Sequence, residues 1–269
     1  MGYNEKIKKT PASIFPPLFF VALAIMITSL MDANRRSTFS ALPLVPLIAI
    51  GWYLGRYSKK ETGFIVGKRS DYLLAVLYPI IGIAYIAVLA FIAGKVDLSN
   101  NDWKKNATNL LLVTLSTCVV VLITEEGFFR GYLWAALKRS GLTQKYVLIF
   151  SSVAFMIWHI SAISFDTGFN LSYWQIPIFL TNALLLGLNW GLLRLISGSV
   201  VVSSICHGIW NGLVYVFFGF GQTHQGALRI TAGAIFGPEN GVIGIMLNVT
   251  ATIYLWRRAS RADMLNGAS

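Results

Sequence analysis

The segment YLLAVLYPIIGIAYIAVLAFIAG, from Tyr72 to Gly94, contains no charged residue. An α-helix needs roughly 20 consecutive apolar residues to cross the hydrocarbon core of a bilayer. Similar apolar runs recur along the chain, and together they give about eight candidate spans, at 14–31, 38–55, 72–94, 107–137, 144–163, 173–195, 199–220 and 239–256. The sequence therefore predicts an all-α fold, a polytopic bundle of transmembrane helices.

The composition points the same way. Hydrophobic residues make up 55% of the chain and charged residues only 12%, whereas soluble domains carry about 25% charged residues. The net charge of +11 does not indicate a nucleic-acid partner, because the basic residues fall between apolar runs instead of clustering on one polar face. We find no repeat and no soluble domain. The prediction is one multi-pass membrane domain over residues 1–269, in contact with the lipid bilayer.

The distribution of Lys and Arg predicts the orientation. These residues are concentrated at the N-terminus (Lys6, Lys8 and Lys9), in the loops 56–69 and 138–145, and in the tail 257–261. With eight spans these segments lie on one side of the membrane, and basic residues favour the cytoplasmic side. The expected topology has both termini in the cytoplasm.

Ionisable and strongly polar side chains inside the apolar runs are the candidates for function. Such residues are costly within a membrane, and each is a functional-site hypothesis by default. They are Glu125, Glu126, Arg130, His159, His207 and Asn211. The helical rise from the ends of their spans brings them to similar depths, so they are able to meet.

Spacing assigns different roles to the two adjacent glutamates. Glu126 and Arg130 are four residues apart with the acid first, the favourable order for an ion pair on one helix face. Glu125 is turned about 100° from Glu126 and remains free to face another helix. A carboxylate there is suited to act as a general base or as a metal ligand.

The other polar residues also occur in pairs at helical spacing. His207 and Asn211 share one face of the seventh run. Phe155 and His159 share a face of the fifth run, with Phe155 expected to pack behind the imidazole. A histidine alone in a helix often makes only an interhelical hydrogen bond, so the grouping with Glu125 is what favours chemistry.

Three short motifs contain all of these residues. TEEGFFRGY from Thr124 to Tyr132 has the pattern EExxxR, FMIWH from Phe155 to His159 has FxxxH, and HGIWN from His207 to Asn211 has HxxxN. The chain thereby resembles the CPBP intramembrane protease family, which contains the CAAX proteases and bacteriocin-processing enzymes and is also called the ABI family. The resemblance covers about the region from Asn109 to Phe218.

The resemblance implies a membrane-embedded endopeptidase with its catalytic core at 107–220. In the family pattern, Glu125 and His159 activate a water, and His207 and Asn211 stabilise the oxyanion. Glu126, Arg130 and Phe155 would support the site.

The cofactor implied by the resemblance is a divalent metal such as Zn²⁺. The expected ligands are Glu125, His159 and His207, with water as the fourth, an arrangement found in catalytic zinc sites. The chain lacks the HExxH motif of many zinc proteases, so a metal-free water activated by glutamate stays open as an alternative.

The expected substrate is a membrane-associated peptide or protein, processed in the manner of a CAAX motif or of a leader or bacteriocin peptide. The expected location is a prokaryotic cell membrane. The alternatives are a non-catalytic scaffold or immunity protein of the same fold, and, with less support, a proton-coupled transporter, since we find no internal repeats. We assign no role to Asp166, His224 and Glu239, which look like loop residues, and Trp158 and Trp210 are candidates for shaping the cavity.

Overall fold

The computed structural model describes residues 12–99, 101–169, 171–221 and 224–265. Within these ranges the chain is almost entirely helical, as the sequence predicts. The helices are α1 (Phe15–Ala33), α2 (Leu44–Gly55), α3 (Lys59–Thr62), α4 (Arg69–Ile92), α5 (Trp103–Ile123), α6 (Leu133–Arg139), α7 (Gln144–Trp158), α8 (Ile160–Ser164), α9 (Gln175–Ser197), α10 (Val200–Leu213), α11 (Gly233–Phe236) and α12 (Val242–Arg261). A 3₁₀ turn (Ser37–Phe39), two π-helical segments (Gly127–Tyr132 and Val214–Phe218) and an antiparallel pair of short strands, β1 (Gly219–Phe220) and β2 (His224–Gln225), complete the described elements.

Seven helical stretches in the described part of the chain are long and apolar enough to cross a membrane. They are Phe15–Ala33, Ser37–Gly55, Arg69–Ile92, Trp103–Arg139, Gln144–Ser164, Gln175–Ser197 and Val200–Phe218. The all-α polytopic bundle is confirmed, and these stretches correspond to the first seven predicted spans.

The eighth predicted span, 239–256, forms the helix α12 but is not one of the seven apolar stretches. Polar residues such as Asn248 and Thr252, and the arginines near its end, lower its mean hydropathy. The helix packs along α9. The predicted orientation depends on whether α12 crosses the membrane, so it stays a prediction, and Lys6, Lys8 and Lys9 lie outside the described residues.

The long fourth span is not one straight α-helix. Helix α5 ends at Thr124, whose backbone angles (φ −113°, ψ −96°) leave the helical region, and the π-helical segment Gly127–Tyr132 follows before α6. Such π-helical turns frequently occur at functional sites. A Cβ atom on Gly127 would lie 2.6 Å from the carbonyl oxygen of Leu122, so the turn requires glycine at this position. The break occurs where the sequence has its paired glutamates.

Helix α10 lies at the centre of the bundle, packed against α4, α5 and α9. Its approach to α5 is close, since a Cβ on Gly208 would lie 2.5 Å from the backbone nitrogen of Cys118. Small residues permit this kind of helix contact in membranes. On its other side α5 exposes Leu111, Leu115 and Val119, which suits a surface that faces lipid. The polar residues of α10 are thereby enclosed by protein.

Candidate active site

Glu126, Arg130 and His207 form a buried charged network. The Arg130 Nη1 lies 3.3 Å from the Glu126 Oε1, and both side chains are wholly buried, which confirms the predicted i,i+4 ion pair. The same Oε1 lies 3.1 Å from the His207 Nδ1 on α10. The Glu126 carboxylate therefore joins the π-helical segment to α10 through the imidazole.

Arg130 also reaches α9 and α7. Its Nη2 donates a hydrogen bond of 3.0 Å to the carbonyl oxygen of Gly187, and its guanidinium carbon lies 4.3 Å from the centre of the Phe155 ring. A buried arginine held by a carboxylate, a carbonyl and an aromatic face has little freedom to move. It fixes the position of Glu126 relative to α7 and α9.

Glu125 approaches the same histidine from the other side. Its Oε2 lies 3.9 Å from the His207 Nε2, and 15% of the Glu125 side chain is exposed, in contrast to Glu126. The two glutamates thus face opposite nitrogens of one imidazole. The ring plane is set by Trp190, which stacks on His207 with centroids 3.6 Å apart and planes inclined by 14°.

His159 stands where α7 ends. Its Nδ1 lies 2.9 Å from the carbonyl oxygen of Phe155, so a neutral ring donates its Nδ1 proton there and has an unprotonated Nε2. The ring packs against Phe155, with centroids 4.4 Å apart, as the sequence predicts. Hydrogen bonding at Nδ1 thus leaves the Nε2 as a hydrogen-bond acceptor.

One cavity of about 650 Å³ brings the four predicted catalytic residues together. Glu125, His159, His207 and Asn211 all line it. Most of the remaining wall is apolar or aromatic, as is usual for binding pockets. The side chain of Asn211 makes no hydrogen bond to another described residue, so its amide remains available to a ligand.

Glu239 is a cavity residue that the sequence did not reveal. It lies in the loop before α12, as expected, but it lines the cavity, and the expectation that it has no place in the site is wrong. Its Oε1 accepts a hydrogen bond of 3.1 Å from the Trp210 Nε1, and its backbone oxygen accepts one of 3.0 Å from Asn182. Nothing in the sequence near Glu239 predicts these long-range partners, although Trp210 lies within the third motif.

The other residues without a predicted role, His224 and Asp166, do not themselves line the cavity, although the ring of Tyr215 against which His224 packs does. His224 stacks on Tyr215 with ring centroids 4.2 Å apart, and Asp166 pairs with Arg35 on the surface at 3.4 Å. Trp158 lines the cavity and Trp210 instead supports Glu239.

The expected metal ligands do not form a ligand cluster. Among the residues that the structure describes, no three His, Cys, Asp or Glu side chains are grouped so that they could hold a metal ion. Glu125 and His207 face each other, but His159 is not grouped with them as the third expected metal ligand. The metal therefore stays a prediction that this side-chain arrangement does not itself support.

Residues 107–213 match the family model described as type II CAAX prenyl endopeptidase Rce1-like. Over this region the chain is similar to the CAAX proteases of the CPBP family, in agreement with the resemblance of its motifs. All three motifs fall inside the match. No curated protein matches the chain. With its seven apolar helices, the protein is an integral membrane protein, and its central region is similar to a family of CAAX endopeptidases.

Proposed function

We propose that the protein is an intramembrane endopeptidase that hydrolyses a peptide bond of a membrane-associated peptide or protein. The family match favours a substrate with a CAAX-type motif. Cleavage of a leader or bacteriocin peptide is the alternative, and it is the same reaction on a different substrate. The observation that carries the proposal is the grouping of Glu125, His159, His207 and Asn211 around one cavity. We expect a prokaryotic cell membrane as the location.

The reaction begins with a water held between Glu125 and His159. The unprotonated His159 Nε2 accepts a hydrogen bond from this water, and the Glu125 carboxylate accepts its proton as the water oxygen attacks the substrate carbonyl carbon. Apolar walls around the site exclude bulk water, which strengthens these interactions. Glu125 then transfers the proton to the leaving nitrogen as the peptide bond breaks.

His207 and Asn211 supply donors where negative charge develops. With its Nδ1 held by Glu126, His207 presents its Nε2 on the side of Glu125, where an N–H at this position donates to the oxyanion, and the Asn211 amide offers a second donor. Stacking on Trp190 and the contact with Glu126 keep the ring oriented before substrate arrives. Preorganised donors of this kind contribute to catalysis because they need no rearrangement during the reaction.

The experiment compares His159 with an aromatic residue outside the cavity wall. The full-length protein is reconstituted in liposomes with a membrane-anchored peptide, and new termini are identified by mass spectrometry. Replacement of His159 by Ala is expected to lower kcat by about 10²-fold or more, whereas Tyr254→Ala, on an exposed face of α12 outside the cavity wall, keeps activity within a few-fold. A wild-type protein that binds the peptide without cutting it would favour the non-catalytic scaffold, and an active H159A variant would refute the assigned mechanism.

The metal requirement is tested separately. Metal content of the purified protein is measured beside that of H159A, together with the effect of a chelator on hydrolysis. A stoichiometric metal that is lost in H159A would support the metalloprotease form of the proposal. An active, chelator-resistant protein without metal would contradict that form and favour water activated by Glu125 directly.

A further inference from the structure

We propose that the cavity selects a substrate with a cationic group, a Lys or Arg side chain or a terminal ammonium, near the cleaved bond, and that Asp32 binds this group. The inference rests on the proposed function in that it treats the bound peptide as a substrate. The binding of a cationic group by Asp32 does not itself depend on cleavage. It starts from a residue outside the three motifs.

Asp32 is a buried carboxylate with an unused oxygen. It lies near the end of α1, is 2% exposed and lines the cavity. Its Oδ1 is buried and makes no hydrogen bond within the described part of the chain. Burying a charge without a partner is costly, and a ligand group that binds the Asp32 Oδ1 would remove this cost.

The charge of the cavity wall identifies the kind of partner. Three carboxyl groups line the cavity, those of Asp32, Glu125 and Glu239, and no Lys or Arg is among the described lining residues. Arg35, close to Asp32 in sequence, directs its guanidinium to Asp166 on the surface. Arg130 is engaged behind the wall by Glu126. Among the described residues, therefore, no guanidinium or ammonium group lines the cavity to balance its carboxylates.

Asp32 is connected to the catalytic side of the cavity through Thr28. Four residues separate Thr28 and Asp32 on one face of α1, a rise of about 6 Å. The Thr28 hydroxyl accepts a hydrogen bond of 2.9 Å from the Trp158 Nε1, and the Trp158 ring lies 4.9 Å from that of His159. Since an extended peptide advances about 3.3 to 3.6 Å per residue, a short segment of bound substrate spans this wall.

A cation fits this position better than the other groups a peptide offers. A hydroxyl or amide satisfies the hydrogen bond of the Asp32 Oδ1 but leaves its charge unbalanced, whereas an ammonium or guanidinium does both. A substrate carboxylate in the same place would meet a wall that already carries three acids. The cavity therefore discriminates by charge at the position that faces Asp32.

The test measures peptide affinity in the Glu125→Gln variant, which keeps a bound peptide intact. The probes are apolar membrane peptides identical except for one residue, which is Lys, Gln or Glu and is moved through the sequence. At one or more positions we expect Lys to lower Kd about tenfold relative to Gln, the effect of a charge-assisted contact, and Glu to raise it. Equal Kd values for Lys and Gln at every position would overturn the inference.

Variants then locate the contact. Adding Asp32→Asn should reduce the preference for Lys to within about twofold, and Asp32→Lys should shift it towards Glu. Asp97→Asn, which removes a half-exposed acid outside the cavity wall, is the matched control and should leave the preference unchanged. A preference that survives Asp32→Asn would contradict the assignment. Lys selectivity in a protein that cuts no peptide would overturn the proposed function while leaving this inference intact.

Discussion

Two buried polar networks are anchored on α9, and they differ in charge and in completeness. The charged network is Glu126, Arg130 and His207. The neutral network joins α4, α9 and α12 and consists of Tyr78, Asn182, Asn189, Asn248 and Thr252. In the neutral network, none of the side-chain nitrogens and oxygens is both buried and without a hydrogen bond.

The charged network is less complete. The Glu126 Oε2 and the Arg130 Nε and Nη1 are buried without a hydrogen bond, and the ion pair at 3.3 Å is a contact between charges instead of an aligned hydrogen bond. Buried ion pairs are weak evidence for stability because desolvation offsets their attraction. The difference indicates that the neutral network holds helices together, whereas the charged network orients His207 beside the cavity.

The largest effect is expected from Arg130. Replacing it by Ala leaves the buried Glu126 charge uncompensated, which should cost about 3 to 5 kcal/mol of stability and abolish hydrolysis. The double replacement Glu126→Met with Arg130→Met removes both charges and should recover most of the stability without the activity, because the His207 Nδ1 then has no carboxylate partner. Thermal unfolding in detergent and peptide hydrolysis measure the two effects. Recovery of activity in the double variant would show that the charged network has no role in orienting His207.

A smaller effect, on stability alone, is expected in the neutral network. Replacing Asn248 by Ala leaves the Tyr78 hydroxyl proton without its acceptor and the Asn182 amide oxygen without its donor, at a cost of about 2 kcal/mol. The remaining folded protein should keep its kcat within a few-fold. Asn34→Ala, at an exposed helix end, is the matched control with little change in unfolding temperature. A loss of activity in the Asn248 variant without loss of stability would break the distinction between the networks.

The smallest effect on stability is expected at the partly exposed ion pair of Glu61 and Arg139. Hydrogen bonds from Arg139 lower the pKa of Glu61 from 4.5 to about 2. Because the folded pKa is the lower one, this contribution to stability is present above pH 4.5 and is lost as the pH falls towards 2. The side chains are 36% and 38% exposed, so Glu61→Gln should cost only about 0.5 kcal/mol at neutral pH. Unfolding measured from pH 6 to pH 3 checks this, and a difference that grows in acid would contradict the sign.

Local patterns predicted most of the fold and the motif residues. Apolar runs located seven spans, and the spacing of Glu126 and Arg130 predicted their ion pair, because both signals depend on neighbours along one helix. The sequence did not indicate how α12 packs. Its polar residues Asn248 and Thr252 make hydrogen bonds to α9. A hydropathy pattern does not distinguish such partners from polar residues that face water.

The residues that complete the cavity were not predictable in this way. Glu239 reaches the wall because Trp210 and Asn182 hold it, and Asp32 does so because α1 packs beside α8. Both depend on contacts between elements far apart in sequence. The π-helical turn after Thr124 also escaped prediction, since a helical pattern does not indicate its hydrogen-bond register.

The central claim is that Glu125 activates the water that cuts the peptide bond. The most direct measurement is kcat for the Glu125→Gln variant in liposomes, taken together with its unfolding temperature. We expect kcat to fall by about 10³-fold with little change in the unfolding temperature, because the carboxylate acts as the base and its contact with the His207 Nε2, at 3.9 Å, is too long for a hydrogen bond. Wild-type hydrolysis by a folded E125Q protein would contradict the account.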